Sequence, residues 1–170
     1  MAEALPPWLL YREEPYQLAS GRLSHFYVDA EQLFADERLR AAVLADWAAL
    51  LDKGRFALLP VYQGGHRWAE ALGERLGTRA EYGVPDDYDE SDMTIVIVED
   101  VLTTGETATM VTDKTYRDLN LHVAPLVLAV VARHRYLSLR YHAWAVIELP
   151  DWEPQPAAQE RLPLTEEHHV

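Results

Sequence analysis

An α/β fold with a central, mostly parallel sheet flanked by helices is the class this sequence predicts, and three observations predict it. Apolar runs of strand length at 56–60, 95–98, 126–131 and 143–149 alternate with helical patterns from Phe56 onward. Ile95-Val-Ile-Val98 sets four β-formers in a row without polar alternation, which marks a strand buried on both faces, as in a parallel sheet. The chain has 170 residues, 49% hydrophobic and 25% charged. That suffices for one domain that buries roughly 70% of its unfolded surface.

Residues 1–30 mix turn formers with aromatics, and His25-Phe26-Tyr27-Val28 within them predicts a short strand. Leu39, Val43, Leu44, Trp47, Leu50 and Leu51 recur at helical spacing after Asp36 and Glu37, so a helix is expected over 36–53, ended by Gly54. Phe56 to Pro60 is the next strand. Trp68, Ala69, Ala71, Leu72 and Leu76 define a helix closed by Gly77. Residues 80–94 break the rhythm with Gly83, Pro85 and six acids, and read as a loop. A third helix is expected over about 106–119. The expected division is a domain over 1–150 and a Pro-containing tail over 151–170.

The composition excludes several function classes. With no cysteine, disulfides, thiolate zinc sites and cysteine nucleophiles are out. A net charge of −13 has the wrong sign for non-specific nucleic-acid binding. No apolar run is long enough for a membrane span, and Met1-Ala-Glu-Ala-Leu-Pro-Pro lacks the pattern of a signal peptide. A cytoplasmic protein is expected, without nucleic-acid or membrane partners.

In open parallel sheets, ligands bind beyond the carboxyl ends of the strands. Two strand-to-helix turns qualify. The first is Pro60-Val-Tyr-Gln-Gly-Gly65, where adjacent glycines let amide groups approach an anion at a helix start; a tight turn without ligand is the alternative. The second is Glu99-Asp100-Val-Leu-Thr-Thr-Gly-Glu-Thr107. Carboxylates accept hydrogen bonds from vicinal hydroxyls, and a hydroxyl- and glycine-bearing turn offers amides to a phosphate monoester. Acids beside a phosphate nest, on its far side, suit a sugar phosphate.

The stretch Val96-Ile-Val-Glu-Asp-Val-Leu-Thr-Thr-Gly-Glu-Thr107 resembles the phosphoribosyl pyrophosphate (PRPP) motif of type I phosphoribosyltransferases. Tyr16-Gln-Leu-Ala-Ser-Gly-Arg-Leu-Ser-His-Phe-Tyr-Val-Asp-Ala30 is similar to the N-terminal part of the orotate enzymes among them, Pro60 to Ala69 sits where they keep the pyrophosphate loop, and Leu128-Ala-Val-Val-Ala-Arg-His134 occupies their next strand. The resemblance implies a small N-terminal base-binding hood over 1–35. Glu99 and Asp100 would act at the ribose as the catalytic pair, while Thr103, Thr104, Gly105, Glu106 and Thr107 would wrap the 5′-phosphate. Tyr62, Gln63, Gly64 and Gly65 would lie along the pyrophosphate. Tyr27 and Val28 would flank the base, with Arg133 its ionic partner. It further implies Mg²⁺ bound mainly through PRPP, no protein metal ligands, and a homodimer. Transfer of the phosphoribosyl group to an orotate-like base is the expected reaction; a non-catalytic sensor or regulator that binds PRPP or a nucleotide is the alternative, and a third reading keeps catalysis with a different base.

Two departures stand out. Ala19 replaces the lysine these enzymes carry before Ser-Gly-Arg, and only 33 residues separate Gly65 from Glu99, which shortens the lid loop. Ala80 to Thr94 holds six acids and no lysine or arginine, and would repel pyrophosphate unless it points away or Mg²⁺ intervenes. Glu106 must turn its carboxylate outward. Of the seven histidines only His66, beside Arg67 at a helix start, is placed to touch pyrophosphate; no histidine metal site is expected. Trp47, Trp68 and Trp144 are expected in the core.

Overall fold

The computed structural model describes residues 5–18, 23–51, 54–78, 84, 86–89, 91–103, 105–119, 125–133 and 142–149. The tail over 151–170, Ala19 and Thr104 lie outside these, as do the side chains of Tyr62, Gln63 and Glu106.

An antiparallel hairpin opens the chain: β1 (Leu9–Gln17) pairs with β2 (Leu23–Val28), with an irregularity between Tyr11 and Tyr16. β1 is a strand that the sequence reading did not anticipate. Its run of exposed charged and aromatic residues carries no strict alternation, and only pairing with β2 makes it a strand. Asp29 then caps α1 (Ala30–Ala35), its carboxylate accepting from the N–H groups of Glu31 and Gln32. Asp36 caps α2 (Glu37–Leu50) by accepting from Leu39 N–H at 3.0 Å. The helix expected over 36–53 is thus present, slightly shorter, with a separate short helix before it.

Four parallel strands follow in the spatial order β3-β4-β5-β6: β3 (Arg55–Pro60), β4 (Met93–Leu102), β5 (Leu126–Ala132) and β6 (His142–Glu148). α3 (Tyr62–Leu76) links β3 to β4, and α4 (Glu106–Leu119) links β4 to β5. Gly77, in the left-handed region at φ 70°, ends α3 as a C-cap.

The sheet separates two apolar layers. On one side Leu58, Val96, Val98 and Leu128 meet Val43 and Trp47 of α2, Trp68 and Leu72 of α3, and Val28 of the hairpin. On the other, Ala57, Leu59, Ile95, Ile97, Val127 and Ala129 meet Ala108 and Val111 of α4. Trp47 and Trp68 are fully buried with their rings 5.8 Å apart, as expected of core residues. Trp144 is the exception, half exposed on the edge strand β6, where one flank of the strand has no neighbour among the described elements.

α3 and α4 therefore lie on opposite faces, yet both crossovers step in the same direction across the sheet. Two such connections have opposite hands, so one of them breaks the right-handed rule that nearly all parallel crossovers obey.

Candidate functional site

The carboxyl ends of β3, β4 and β5 meet the hairpin and the first turns of α3 and α4. β4 runs to Leu102, so Glu99 and Asp100 lie within the strand rather than after it, a correction to the expected end at Val98. Pairing of Glu99 with Ala129 and of Val101 and Leu102 with β5 extends the ladder past the acids. The two carboxylates consequently face different layers. Glu99 follows Ile95 and Ile97 toward the α4 side, and Asp100 follows Val96 and Val98 toward α3. Beyond Asp100 the alternation slips, with Val101 against the α2–α3 layer and Leu102 in the α4 layer.

Both acids are largely buried, and both titrate above the usual carboxyl range. Burial, and secondarily the neighbouring Asp100, push Glu99 up to about 8. Its Oε2 is fully buried and has no hydrogen-bond partner among the described residues. Burial also raises Asp100, against the opposing effect of Val101 N–H, which donates to Asp100 Oδ1 at 2.7 Å. Buried carboxylates of this kind are suited to a ligand's hydroxyl groups or to a divalent cation.

The turn after β3 differs from the expected glycine loop ahead of a helix. α3 already begins at Tyr62, so Gly64 and Gly65 sit in its first turn. Space explains both glycines. A Cβ on Gly65 would collide with the carbonyl oxygen of Val98, which itself accepts from Val61 N–H at 2.8 Å. A Cβ on Gly64 would lie 2.6 Å from Asp100 Oδ1 and closer still to Oδ2. At this helix start, His66 pairs with Glu70 at 3.1 Å and Arg67 with Glu31 of α1 at 2.6 Å, so both engage neighbouring acids.

The turn after β4 is built by a different device. Gly105 is buried at φ 74°, a conformation that favours glycine, and its carbonyl accepts from Thr109 N–H at 2.8 Å. Thr103 is half-buried before it and Thr107 exposed after it, while the amide groups opening α4 have no acceptor within the helix.

The hairpin is fastened over this end of the sheet by Arg133, at the end of β5. Its Nη1 donates to Ser24 Oγ at 2.8 Å and its Nη2 to the Phe26 carbonyl at 2.6 Å. Its backbone N–H donates to the Leu102 carbonyl, just before the Thr103–Gly105 turn. Arg133 is 5% exposed, and burial lowers its pKa. The arginine thus links two parts of the site through protein acceptors, with Ser24 and Phe26 as members that residue type alone did not single out. Tyr27 is 43% exposed and packs on Tyr16, whose ring also carries the Arg12 guanidinium at 4.4 Å. Val28 is buried in the core, so its side chain is not available to flank a base.

The described part of the acidic connection between α3 and β4 lies at the opposite end of the sheet. Asp87 and Asp92 each pair with Arg55, the first residue of β3, at 2.9 Å, and Val84 and Tyr88 pack into the α4-side layer. These acids point away from the carboxyl ends of the strands. Among the described residues no three carboxylates or imidazoles converge as a metal cage. No helix among them is long and apolar enough to cross a membrane.

Comparison with solved structures decides the fold. Orotate phosphoribosyltransferase from Aeropyrum pernix superposes with a TM-score of 0.65 at 24% identity, over 84% of this chain and 89% of that one. The fold is that of the type I phosphoribosyltransferases. UMP synthase of Leishmania donovani matches 84% of the chain with a TM-score of 0.61 at 21% identity, over 34% of its own length. In sequence, orotate phosphoribosyltransferase of Rhizobium meliloti (strain 1021) is 41% identical over 71 residues. That match covers 38% of this chain and 30% of the relative, so the similarity spans less than a third of the curated protein's length. No family model matches. The phosphoribosyltransferase fold and the resemblance of the motif around Asp100 point to the same enzymes.

Proposed function

We propose that the chain transfers the 5-phosphoribosyl group from PRPP to a nucleobase of the orotate kind and releases pyrophosphate. One observation carries the reading: two largely buried carboxylates lie near the carboxyl end of β4 in a phosphoribosyltransferase fold, between the two strand-to-helix turns. In the reaction the bond from C1′ to the pyrophosphate oxygen breaks and its electron pair leaves with pyrophosphate. A base nitrogen supplies the pair for the new bond to C1′. Glu99 and Asp100 would accept from the ribose hydroxyls and, in their ionised forms, stabilise positive charge developing on the ring. Thr103, Thr104, Gly105, Glu106 and Thr107 would hold the 5′-phosphate, mainly by amide groups. The first turn of α3, Tyr62 to Gly65, would face the pyrophosphate, and Tyr27, the Val28 backbone and Arg133 the base.

The buried carboxylates also fit a divalent cation, and Asp100, beside the first turn of α3, is the group that would face Mg²⁺ carried by the pyrophosphate. Bound there, the ion would neutralise charge on the leaving group. A homodimer acting in the cytoplasm completes the proposal.

A second reading, a binder of PRPP or nucleotide without turnover, is favoured by the α3–β4 connection. Its described part lies at the amino ends of the strands, where it cannot cover the site. Calorimetry with PRPP and Mg²⁺, followed by pyrophosphate release over a panel of bases, separates the two. Binding with release supports transfer, binding without release for any base supports the sensor, and no binding overturns both. Asp100→Asn should weaken PRPP about tenfold.

A further inference from the structure

Gly64 occupies the third position of α3, where glycine is a poor choice for a helix. Its backbone does not require glycine: the described glycines with positive φ are Gly54, Gly77 and Gly105. What requires it is a side chain from another element. Both carboxylate oxygens of Asp100, and its Cγ, lie where a Cβ of residue 64 would stand. The carboxylate is also tied to its own strand, because Val101 N–H donates to Oδ1 at 2.7 Å. Gly65 contrasts with it, since its missing Cβ accommodates the backbone carbonyl of Val98 and owes nothing to Asp100.

We propose that Gly64 is a positioning residue for Asp100: the absence of its side chain is the space in which the carboxylate is held toward the ligand. The two positions are one functional unit, split between a helix start and a strand end that are 36 positions apart in the chain. The role in ligand binding rests on the reading of the site as a PRPP site; the steric coupling does not.

The test is a double-mutant cycle of Gly64→Ala and Asp100→Ala, read first by thermal unfolding. Gly64→Ala should lower the melting temperature in the wild-type background and raise it in the Asp100→Ala background, where alanine's better helix propensity acts unopposed. An equal shift in both backgrounds overturns the proposal. If Gly64→Ala does not fold, folding of the double variant supports the coupling and its failure to fold refutes it. The control Gly65→Ala should lose stability in both backgrounds. In calorimetry with PRPP and Mg²⁺, Gly64→Ala should weaken binding about tenfold, as Asp100→Ala does, and the double variant should be no weaker than Asp100→Ala. Additive losses would overturn the positioning role. Absence of PRPP binding by the wild-type protein would instead end the enzyme reading, and leave the thermal cycle to decide the coupling.

Discussion

The two strand-to-helix turns of this protein use glycine for opposite reasons. After β3, Gly64 and Gly65 have ordinary helical backbones and are glycine because other atoms occupy the place of a side chain. After β4, Gly105 is glycine because its own backbone stands at φ 74°. The first turn is closed by contact with the neighbouring strand: Val61 N–H and Gly65 both abut the Val98 carbonyl, and Gly64 abuts Asp100. The second carries Thr103 half-buried and Thr107 exposed, and opens α4 with amides that have no acceptor within the helix. A glycine after a strand is therefore no single signal. At the first turn it reports tertiary contact, and at the second it reports local conformation.

Substitutions can break or sharpen that contrast. Gly65→Ala should be the most damaging, costing about 3 kcal/mol or more in urea unfolding, because a backbone carbonyl cannot move aside as a side chain can. A loss near zero would show that the close packing onto β4 is absent.

Glu99→Gln addresses the strand between the two turns. An ordinary glutamate titrates at 4.5, and Glu99 at about 8. Between these values the folded state keeps a proton that the unfolded state has released, so stability falls as pH rises through the window. The raised Asp100 acts in the same direction. Glu99→Gln should remove most of the decline and leave the variant on the order of 2–4 kcal/mol more stable than wild type at pH 8. Unfolding at pH 5, 6.5 and 8 measures it; a wild-type protein equally stable at all three refutes the burial of this charge.

Arg133→Gln should cost about 1–3 kcal/mol, since Ser24 and the Phe26 carbonyl lose a charged donor in a half-buried place. Hydrogen exchange should rise in the β1–β2 hairpin and next to Leu102, while α3 stays protected. Uniform loss of protection would mean that the arginine is no specific tie. Gly105→Ala should be the mildest, about 1 kcal/mol for a left-handed alanine, and it should weaken PRPP binding more than it weakens the fold. Equal stability to wild type would contradict the backbone assigned to that turn.

Much of the sheet was legible from local pattern. The buried runs at 56–60, 95–98 and 126–131 read as strands because they are apolar on both faces, and α4 lies at 106–119, as expected after the Thr103–Gly105 turn. β1 was not legible, since its exposed residues follow no period and its strand character comes from pairing with β2. Nor was the extension of β4 through Glu99 and Asp100, because two adjacent acids read as the end of a buried strand. Trp144 misleads for a related reason: residue type favours burial, but an edge strand leaves one side uncovered.

By itself, the sequence determined the α/β class, the order of the elements and the segment that bears the candidate chemistry, because apolar periodicity and a short run of acids, hydroxyls and glycine are local properties. Tertiary structure decided that β4 runs on through Glu99 and Asp100, that Asp87 and Asp92 are drawn to Arg55 at the far end of the sheet, and that Gly64 makes room for Asp100. Each of these depends on which strand lies beside which helix, and long-range packing of that kind leaves no periodic trace in the chain.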